Sequence, residues 1–380
     1  MISQMFPSRG WKRLVFFVFF FSPSICFAYN IGAIELTPQA SIKESYDDNI
    51  TYASSKTKSD FIANIDLGLT AKYEEKTRSL DLAANLGRNF FANHTNFDNT
   101  YENLSLSLGQ EISKYSRVSL RDTFSHSEEP RSFEEEFGRT AGRYSTYSNR
   151  FGIDCAREIS RQLRLLIRYA NETTQYSRKD LSDSVLNTIG MEADYALSSM
   201  TIASISYDFS KRDFNPGAEA STRTAAAGIR QYLNSRLFLD IKTGINYIKD
   251  YNNQRYQKPL FYTALINDID ENTRAKVSFK KEYFPNAYSS DIFNYWELSG
   301  AFTRRLSERL RGTISGFYGQ GKYITFGLKD KLTGLDTGIS YDLSKDASVS
   351  LNYAYSGKRS NTSGREYKKN KVSAGLKVDF

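Results

Sequence analysis

The stretch FIANIDLGLTAKY, residues 61–73, alternates apolar and polar side chains from end to end. Phe61, Ile65, Leu67 and Tyr73 share one parity of the numbering, while the other parity is mostly Asn, Asp, Gly, Thr and Lys. Successive side chains of a β-strand point to opposite faces, so a period of two predicts a strand with one apolar face. This stretch is typical of an all-β fold.

The same alternation recurs along the chain, for example at residues 203–210 and 237–247. Counting such segments predicts about eighteen strands, from Ile34–Tyr46 to Tyr367–Phe380. Residues 260–268 form the least regular of them, because apolar side chains stand on both parities there. An even number of strands predicts that both ends of the strand array lie on the same side.

The connections between these segments alternate in length. Short links recur with an apolar residue followed by small polar ones, and a turn near residues 267–272 stands where one such link is missing. The short links are Ile112-Ser113-Lys114, Ile159-Ser160-Arg161, Leu197-Ser198-Ser199, Leu233-Asn234-Ser235, Leu306-Ser307-Glu308 and Leu343-Ser344-Lys345. The longer polar links are residues 128–143, 176–183, 215–222, 250–257 and 358–366. Outer-membrane barrels show this asymmetry, with short periplasmic turns and long external loops.

Soluble β-sandwiches also alternate, so other features must separate the two classes. The apolar face carries Tyr, Phe and Leu over roughly 10 residues per strand, close to what a tilted strand needs to cross a bilayer. The opposite face is charged or small, which a water-filled lumen tolerates and a dry sandwich core does not. We therefore predict a transmembrane antiparallel up-and-down β-barrel, with a soluble periplasmic β-protein as the alternative.

The N-terminal residues 1–28 have the composition of a secretory signal peptide. A basic head precedes an apolar run at residues 14–21, and a small-x-small exit ends at Ala28. A membrane anchor is the less favoured interpretation, because the apolar run is short and Pro23 follows it. We predict cleavage after Ala28 and a barrel over residues 29–380.

The chain has two cysteines, and cleavage of the leader would leave only Cys155. No intramolecular disulfide would then be possible, so the exported fold must rest on its hydrogen bonds, as a closed barrel does. The final residues alternate to the end, with Leu376, Val378 and Phe380 on one face. This is similar to the terminal strand that the outer-membrane barrel assembly machinery recognises, although tyrosine is common where Val378 stands.

If the apolar parity faces lipid, a mixed set of charged side chains faces the lumen. Two interpretations stay open: cross-strand ion pairs that stiffen the wall, or a solute path of mixed charge. The lumen-lining candidates are Lys72, Arg121, Arg150, Arg164, Arg168, Arg230, Lys242, Asp66, Asp208, Asp240 and Glu297.

Catalytic chemistry has little support in the sequence. His94 and His126 fall near the external ends of predicted strands, and His126 has Asp122, Ser125 and Glu128 nearby in sequence. Any polar rim supplies such neighbours, so we expect no enzyme. No phosphate-binding glycine loop and no metal-ligand spacing occurs, so we expect no cofactor or metal. The basic residues are scattered among acids, so we expect no nucleic-acid partner.

The first predicted strands resemble those of a known family. Residues 45–50 (SYDDNI), 59–63 (SDFIA) and 67–69 (LGL) are similar to the opening of a family of outer-membrane β-barrel porins associated with exopolysaccharide export loci. The resemblance extends loosely along the chain through the repeated hairpins. One departure is that Asp66-Leu67 stands where a proline commonly precedes Gly-Leu.

The resemblance implies an outer-membrane pore for exopolysaccharide or another polar solute. It implies outer-membrane lipid and the assembly machinery as partners, and periplasmic polysaccharide-export components that supply the driving force. An outer-membrane barrel whose external rim serves adhesion or hydrolysis is the alternative. The acidic segment at residues 133–137 is expected either to fold into the pore or to cap the barrel outside.

Overall fold

The computed structural model describes residues 29–129, 142–179, 181–215, 217–286, 291–324 and 327–380. The signal-peptide prediction for residues 1–28 and the acidic segment 133–137 lie outside these ranges. The strands are β1 Tyr29–Ile31, β2 Ile34–Asp47, β3 Asp60–Glu74, β4 Arg78–Phe91, β5 Asn99–Ser113, β6 Ser116–Ser127, β7 Thr146–Glu158, β8 Leu163–Tyr176, β9 Asp183–Ala196, β10 Thr201–Asn215, β11 Ala218–Tyr232, β12 Leu237–Lys249, β13 Arg255–Asp270, β14 Thr273–Asn286, β15 Asp291–Arg305, β16 Leu310–Tyr323, β17 Lys329–Asp342, β18 Ala347–Ser360 and β19 Tyr367–Asp379.

Strands β2 to β19 form a closed antiparallel ring of eighteen. Each strand pairs with the next along the chain, and β19 pairs with β2 to close the ring. The short β1 only forms a hairpin with the start of β2. Closure pairs every strand on both sides, so no sheet edge is left open. The predicted all-β up-and-down barrel and its strand count are confirmed.

The two ends of the ring differ. Short turns join the strands at one end, where β2 begins and β19 ends. We call this the turn end and the opposite one the loop end, which is the external end by the rule for outer-membrane barrels. Among the described residues no helix is long and apolar enough to cross a membrane.

The recurrent short links form one kind of turn. The backbone N–H of Leu197 donates to the carbonyl of Thr201 at 2.9 Å, and Leu343 donates in the same way to Ala347 at 2.8 Å. The second residue of the link then accepts a backbone N–H with its own side chain, as Ser198 does from Met200 at 3.1 Å. Serine and asparagine stabilise turns in this way, which explains their recurrence.

One sequence prediction at the strand ends is wrong, and the predicted strand at residues 260–268 lies within a longer strand. Residues 215–222 do not form a long link, because β10 runs to Asn215 and β11 starts at Ala218. Phe214 and Ala220 are buried together there, which keeps both strands regular to their tips. The segment 260–268 is part of β13, the longest strand, whose Ala264 and Ile266 are buried on the inner side while Leu265 is exposed outside.

The ring has no single central core. The four clusters of buried apolar side chains found in the described part of the chain all lie near the loop end. The largest contains Phe293, Tyr295, Tyr323 and Leu332. The loop end is therefore packed, while the rest of the inner wall is polar.

Candidate functional site

The outer face of the barrel is apolar. Phe61 and Leu67 on β3 are 62% and 61% exposed. Nearly every other strand presents a similar residue, such as Ile205 or Leu351. Exposed apolar surface of this extent marks a surface that is covered by lipid or protein. The free Cys155 is exposed on the same face of β7.

The opposite parity forms the inner wall. Residues that stand directly opposite one another in an antiparallel pair share a face, so the register carries this parity around the ring. The structure places all the lumen-lining candidates on this inner parity: Lys72, Arg121, Arg150, Arg164, Arg168, Arg230, Lys242, Asp66, Asp208, Asp240 and Glu297. That they meet a solute stays a prediction.

Four charged side chains form a group across β8 to β12, which we call the charge ladder. Arg168 on β8 holds Asp208 on β10 through two hydrogen bonds of 3.0 Å, from Nε and Nη2. Glu192 on β9 lies 3.7 Å from Arg168 and 3.3 Å from Lys242 on β12. Gly190 stands between Arg168 and Asp208 in the register, and a Cβ there would collide with both. The ladder thus depends on a glycine.

The other candidates are paired more locally. Arg230 and Asp240 stand directly opposite each other and form two hydrogen bonds of 2.7 and 3.0 Å. Asp66 accepts from the hydroxyls of Ser41, at 3.0 Å, and Tyr101. The remaining candidates have these register partners: Lys72 with Asp81, Arg121 with Gly152, Arg150 with Glu172, Arg164 with Asp194, and Glu297 with Lys280.

At the loop end, the last residue of β2 and the two residues that follow it bind β19. Lys369 lies 2.9 Å from Asp47, Asn370 donates to Asp48 from its backbone at 2.7 Å and its side chain at 2.6 Å, and Asn49 donates to the Lys368 carbonyl at 2.9 Å. We call Asp47, Asp48 and Asn49 the β2–β19 clasp. They belong to the SYDDNI motif, whose role in joining the two strands the sequence did not reveal.

The described first residues after β6 reach into the barrel. Glu129, just beyond the end of β6, lies 3.0 Å from Lys369 on β19, which is five strands away around the ring. Glu129 also accepts from the Tyr52 hydroxyl, and the Lys369 ammonium lies 4.0 Å from the centre of the Tyr52 ring. The Glu129 side chain therefore joins the end of β6 to β19 inside the mouth.

Arg143 holds the other side of the same connection. Its guanidinium binds Glu128 and Glu129 at 2.8 Å each and donates to the Ile50 carbonyl at 3.1 Å. Burial opposes the charge, but the two carboxylates outweigh it and raise the pKa of Arg143. The described flanks of the acidic segment thus point inward, while residues 133–137 themselves lie outside the described part.

A second buried charge group lies on β17 and β18. Asp330 and Lys358 are 3.3 Å apart with side chains that are both 0% exposed, and Arg365 binds the same carboxylate at 3.1 Å. Asp60, in the SDFIA motif, is buried too and accepts from the backbone N–H groups of Asn93 and His94. Strongly buried acids of this kind carry no signal in the alternation pattern, so sequence reasoning missed them.

The structure separates the predicted neighbours of His126. His126 and Ser125 lie on opposite faces of β6, and the Asp122 carboxylate accepts a hydrogen bond from the Asn149 side chain at 2.9 Å. His126 instead lies 3.8 Å from Glu102 and stacks on Tyr147, with ring centroids 4.2 Å apart. These residues share the outer face.

Comparison with known proteins gives one family match. Residues 293–380, from β15 to the last strand, match the model of a family described as "Putative beta-barrel porin 2". The predicted resemblance to a β-barrel porin family is confirmed, although the match falls on the C-terminal strands rather than on residues 45–69. No curated protein sequence matches the chain significantly.

Solved structures share the fold at low identity. OccK2 (OpdF) from Pseudomonas aeruginosa is similar over 91% of this chain and 98% of its own, with 9% identity and a TM-score of 0.50. Its complex with glucuronate gives the same coverage and TM-score at 10% identity. OccAB3 from Acinetobacter baumannii is similar over 91% of this chain and 99% of its own, with 10% identity and a TM-score of 0.47.

The exterior, the closed ring and the family match agree. An apolar outer face and a charged inner wall are the features of an outer-membrane barrel. The protein is a closed β-barrel of the outer-membrane type, and its strands from residue 293 onward match a β-barrel porin family.

Proposed function

We propose that the barrel is a passive channel that conducts a polar solute across the outer membrane, and that this solute is an exopolysaccharide. The observation that carries the channel proposal is the charge ladder. Arg168, Glu192, Asp208 and Lys242 stay partly exposed inside a closed ring of eighteen strands. Ion pairs in such a position need water around them, and barrels of this size leave an aqueous channel.

The mixed charge of the inner wall suits a hydroxyl-rich polymer. Acids and bases alternate on it, so neither sign of ion is strongly favoured, and hydroxyl-rich chains can exchange hydrogen bonds with both. The choice of exopolysaccharide rests on the family resemblance of residues 45–69. OccK2, which shares the fold, has been solved with the sugar acid glucuronate, so uronic-acid polymers belong among the solutes to test.

Catalysis and adhesion at the rim are not part of the proposal. The pairing of His126 with Glu102 on the outer face gives a hydrolase no access to a solute in the lumen. His126→Ala is accordingly expected to leave conduction and secretion unchanged. Loss of secretion in that variant, with the barrel folded, would favour a rim activity instead.

Two measurements test the proposal. The purified barrel in planar bilayers should show discrete current steps, and the polysaccharide of the producing strain should reduce the current from the turn-end side. Neutral dextran of equal size serves as the control polymer. A strain that lacks the protein should retain its polysaccharide in the periplasm. A barrel that carries no current would overturn the channel, while unchanged secretion would overturn only the choice of solute.

A further inference from the structure

Cations face one another in pairs on the outer side of the barrel, just below the loop end. Like charges that stand directly opposite in a sheet repel and lower its stability. In the described part of the chain, no carboxylate lies within ion-pair distance of any of them. The three pairs are Lys249 with Arg255, Lys322 with Lys329, and Lys331 with Arg359.

The last of these pairs borders a groove on the outer wall. The groove has a volume of about 370 Å³ and runs across β16 to β19. Tyr318 and Tyr355 line its floor, Lys331 and Arg359 stand on its loop-end side, and Lys368 stands opposite Gly357 in the register. It differs from a flat charged surface, because aromatic rings and cations converge on one concave site.

A glycine shapes this groove. Gly357 stands between Thr333 and Lys368 in the register, so it occupies the middle of the groove. A Cβ at Gly357 would lie 2.6 Å from the Tyr355 hydroxyl oxygen. The absent side chain therefore lets the Tyr355 ring lie against the strand and keeps the space above it open.

The groove lies at the boundary of the apolar belt. Leu335, Leu351 and Val372 are exposed on the same strands, nearer the turn end. Tyrosine rings collect at membrane interfaces, with their apolar body in lipid and their hydroxyl in water. The three cations thus stand at the level of the external lipid headgroups, directly above the acyl chains.

We propose that this groove binds a phosphate group of a glycolipid in the outer leaflet. Lys331, Arg359 and Lys368 supply the charge that a phosphate needs, and bound phosphate relieves the repulsion between Lys331 and Arg359. The tyrosine floor packs against the sugar of the headgroup. The exposed leucines below take the acyl chains, which a free phosphate ion lacks.

The first test is native mass spectrometry of the detergent-solubilised barrel titrated with diphosphoryl lipid A. One tightly held adduct is expected, at least about tenfold weaker in K331Q/R359Q/K368Q, because each of the three cations adds to the attraction for an anionic lipid. The matched control R161Q/R309Q/K345Q removes three cations at the turn end and should bind as the wild type does. Equal binding by both triple variants, or equal loss in both, would overturn the proposal.

A second measurement uses the unmodified protein, so it does not depend on how the variants fold. Diphosphoryl lipid A should raise the temperature at which the wild-type barrel loses its heat-modifiable gel migration. Dephosphorylated lipid A and inorganic phosphate should leave this temperature unchanged. A shift with inorganic phosphate alone, or an equal shift with the dephosphorylated lipid, would contradict a headgroup site.

One single substitution should strengthen lipid A binding. Glu366 stands two residues before Lys368 and carries the charge that opposes a phosphate. Glu366→Gln should therefore tighten the lipid A adduct while it removes no cation. Weaker binding in this variant would show that the carboxylate, rather than the cations, holds the lipid, and the proposal would be wrong.

Discussion

The inner wall of the barrel and its mouth both contain ion pairs between basic and acidic side chains, but these pairs differ in exposure. In the charge ladder, the side chains of Arg168 and Asp208 remain 31% and 18% exposed. At the loop end, those of Asp330 and Lys358 are both fully buried. Exposed ion pairs contribute little to stability, whereas breaking a buried pair is costly. The difference indicates that the charge ladder stays accessible along the proposed channel, while the buried pairs stabilise the mouth.

The largest effect is expected where a buried pair is broken. Asp330→Asn leaves Lys358 and Arg365 without their shared carboxylate, and we expect a loss of about 3–5 kcal/mol in the free energy of unfolding. Urea titration of the barrel in lipid vesicles measures it. The matched control on the same strand, Asp336→Asn, changes an exposed acid on the inner wall and should cost within about 0.5 kcal/mol. Similar losses in both variants would erase the proposed difference between the two regions.

A smaller effect is expected where the contacts of Glu129 with Lys369 and Arg143 are weakened. Glu129→Gln removes the charge that Lys369 and Arg143 share. The free energy of unfolding should fall by about 1.5–3 kcal/mol, the range for hydrogen bonds to charged groups. The mouth should then open more often, so single-channel conductance and current noise should both rise. Glu158→Gln, an exposed acid near the turn end, is the control and should alter neither. An unchanged conductance in Glu129→Gln would mean that the contacts of Glu129 do not narrow the channel.

The charge ladder should affect ion selectivity more than the free energy of unfolding. Arg168→Gln leaves Asp208 and Glu192 less compensated, so selectivity should shift toward cations while the free energy of unfolding falls by about 1 kcal/mol or less. The reversal potential in a salt gradient reports the shift. Arg223→Gln removes one cation from the outer face and should leave the potential unchanged. Identical potentials for the two variants would place the ladder outside the ion path.

The smallest effect is expected from exchanging the partners of one exposed pair. Arg230→Asp and Asp240→Arg should each move the reversal potential, in opposite directions. The double exchange restores an opposed pair, so its potential should return close to the wild-type value, with a stability change within about 1 kcal/mol. A double variant as altered as either single one would show that the pair's position matters more than its charge balance.

The sequence predicted those parts of the fold that repeat locally. Alternation in residues 61–73 correctly separated Leu67 on the outer face from Asp66 on the inner wall, since the period of two is a property of any strand. The turn at Leu197-Ser198-Ser199 was equally visible, because Ser198 closes it through a local hydrogen bond.

The sequence could not predict contacts between distant segments. Ile62 is an apolar residue on the inner, polar parity, and it is buried because Ile50 and Phe91 from neighbouring segments pack on it at the loop end. Glu129 gave no sign of meeting Lys369, which is 240 positions away. Such contacts depend on how the connections pack at the loop end, and the alternation of apolar and polar residues carries no information about that packing.

The β2–β19 clasp bears on how the ring forms. Every other pairing in the ring joins strands that follow each other along the chain, but Asp48 and Asn370 are 322 positions apart. Bringing such distant segments together has the highest entropic cost, so this junction is expected to form last. The pairing of β2 with β19 has nine register pairs, whereas that of β2 with β3 has fourteen. Until it forms, the unfinished sheet has two free edges that can join the wrong partner. Three short polar side chains thus hold the junction that is expected to form last.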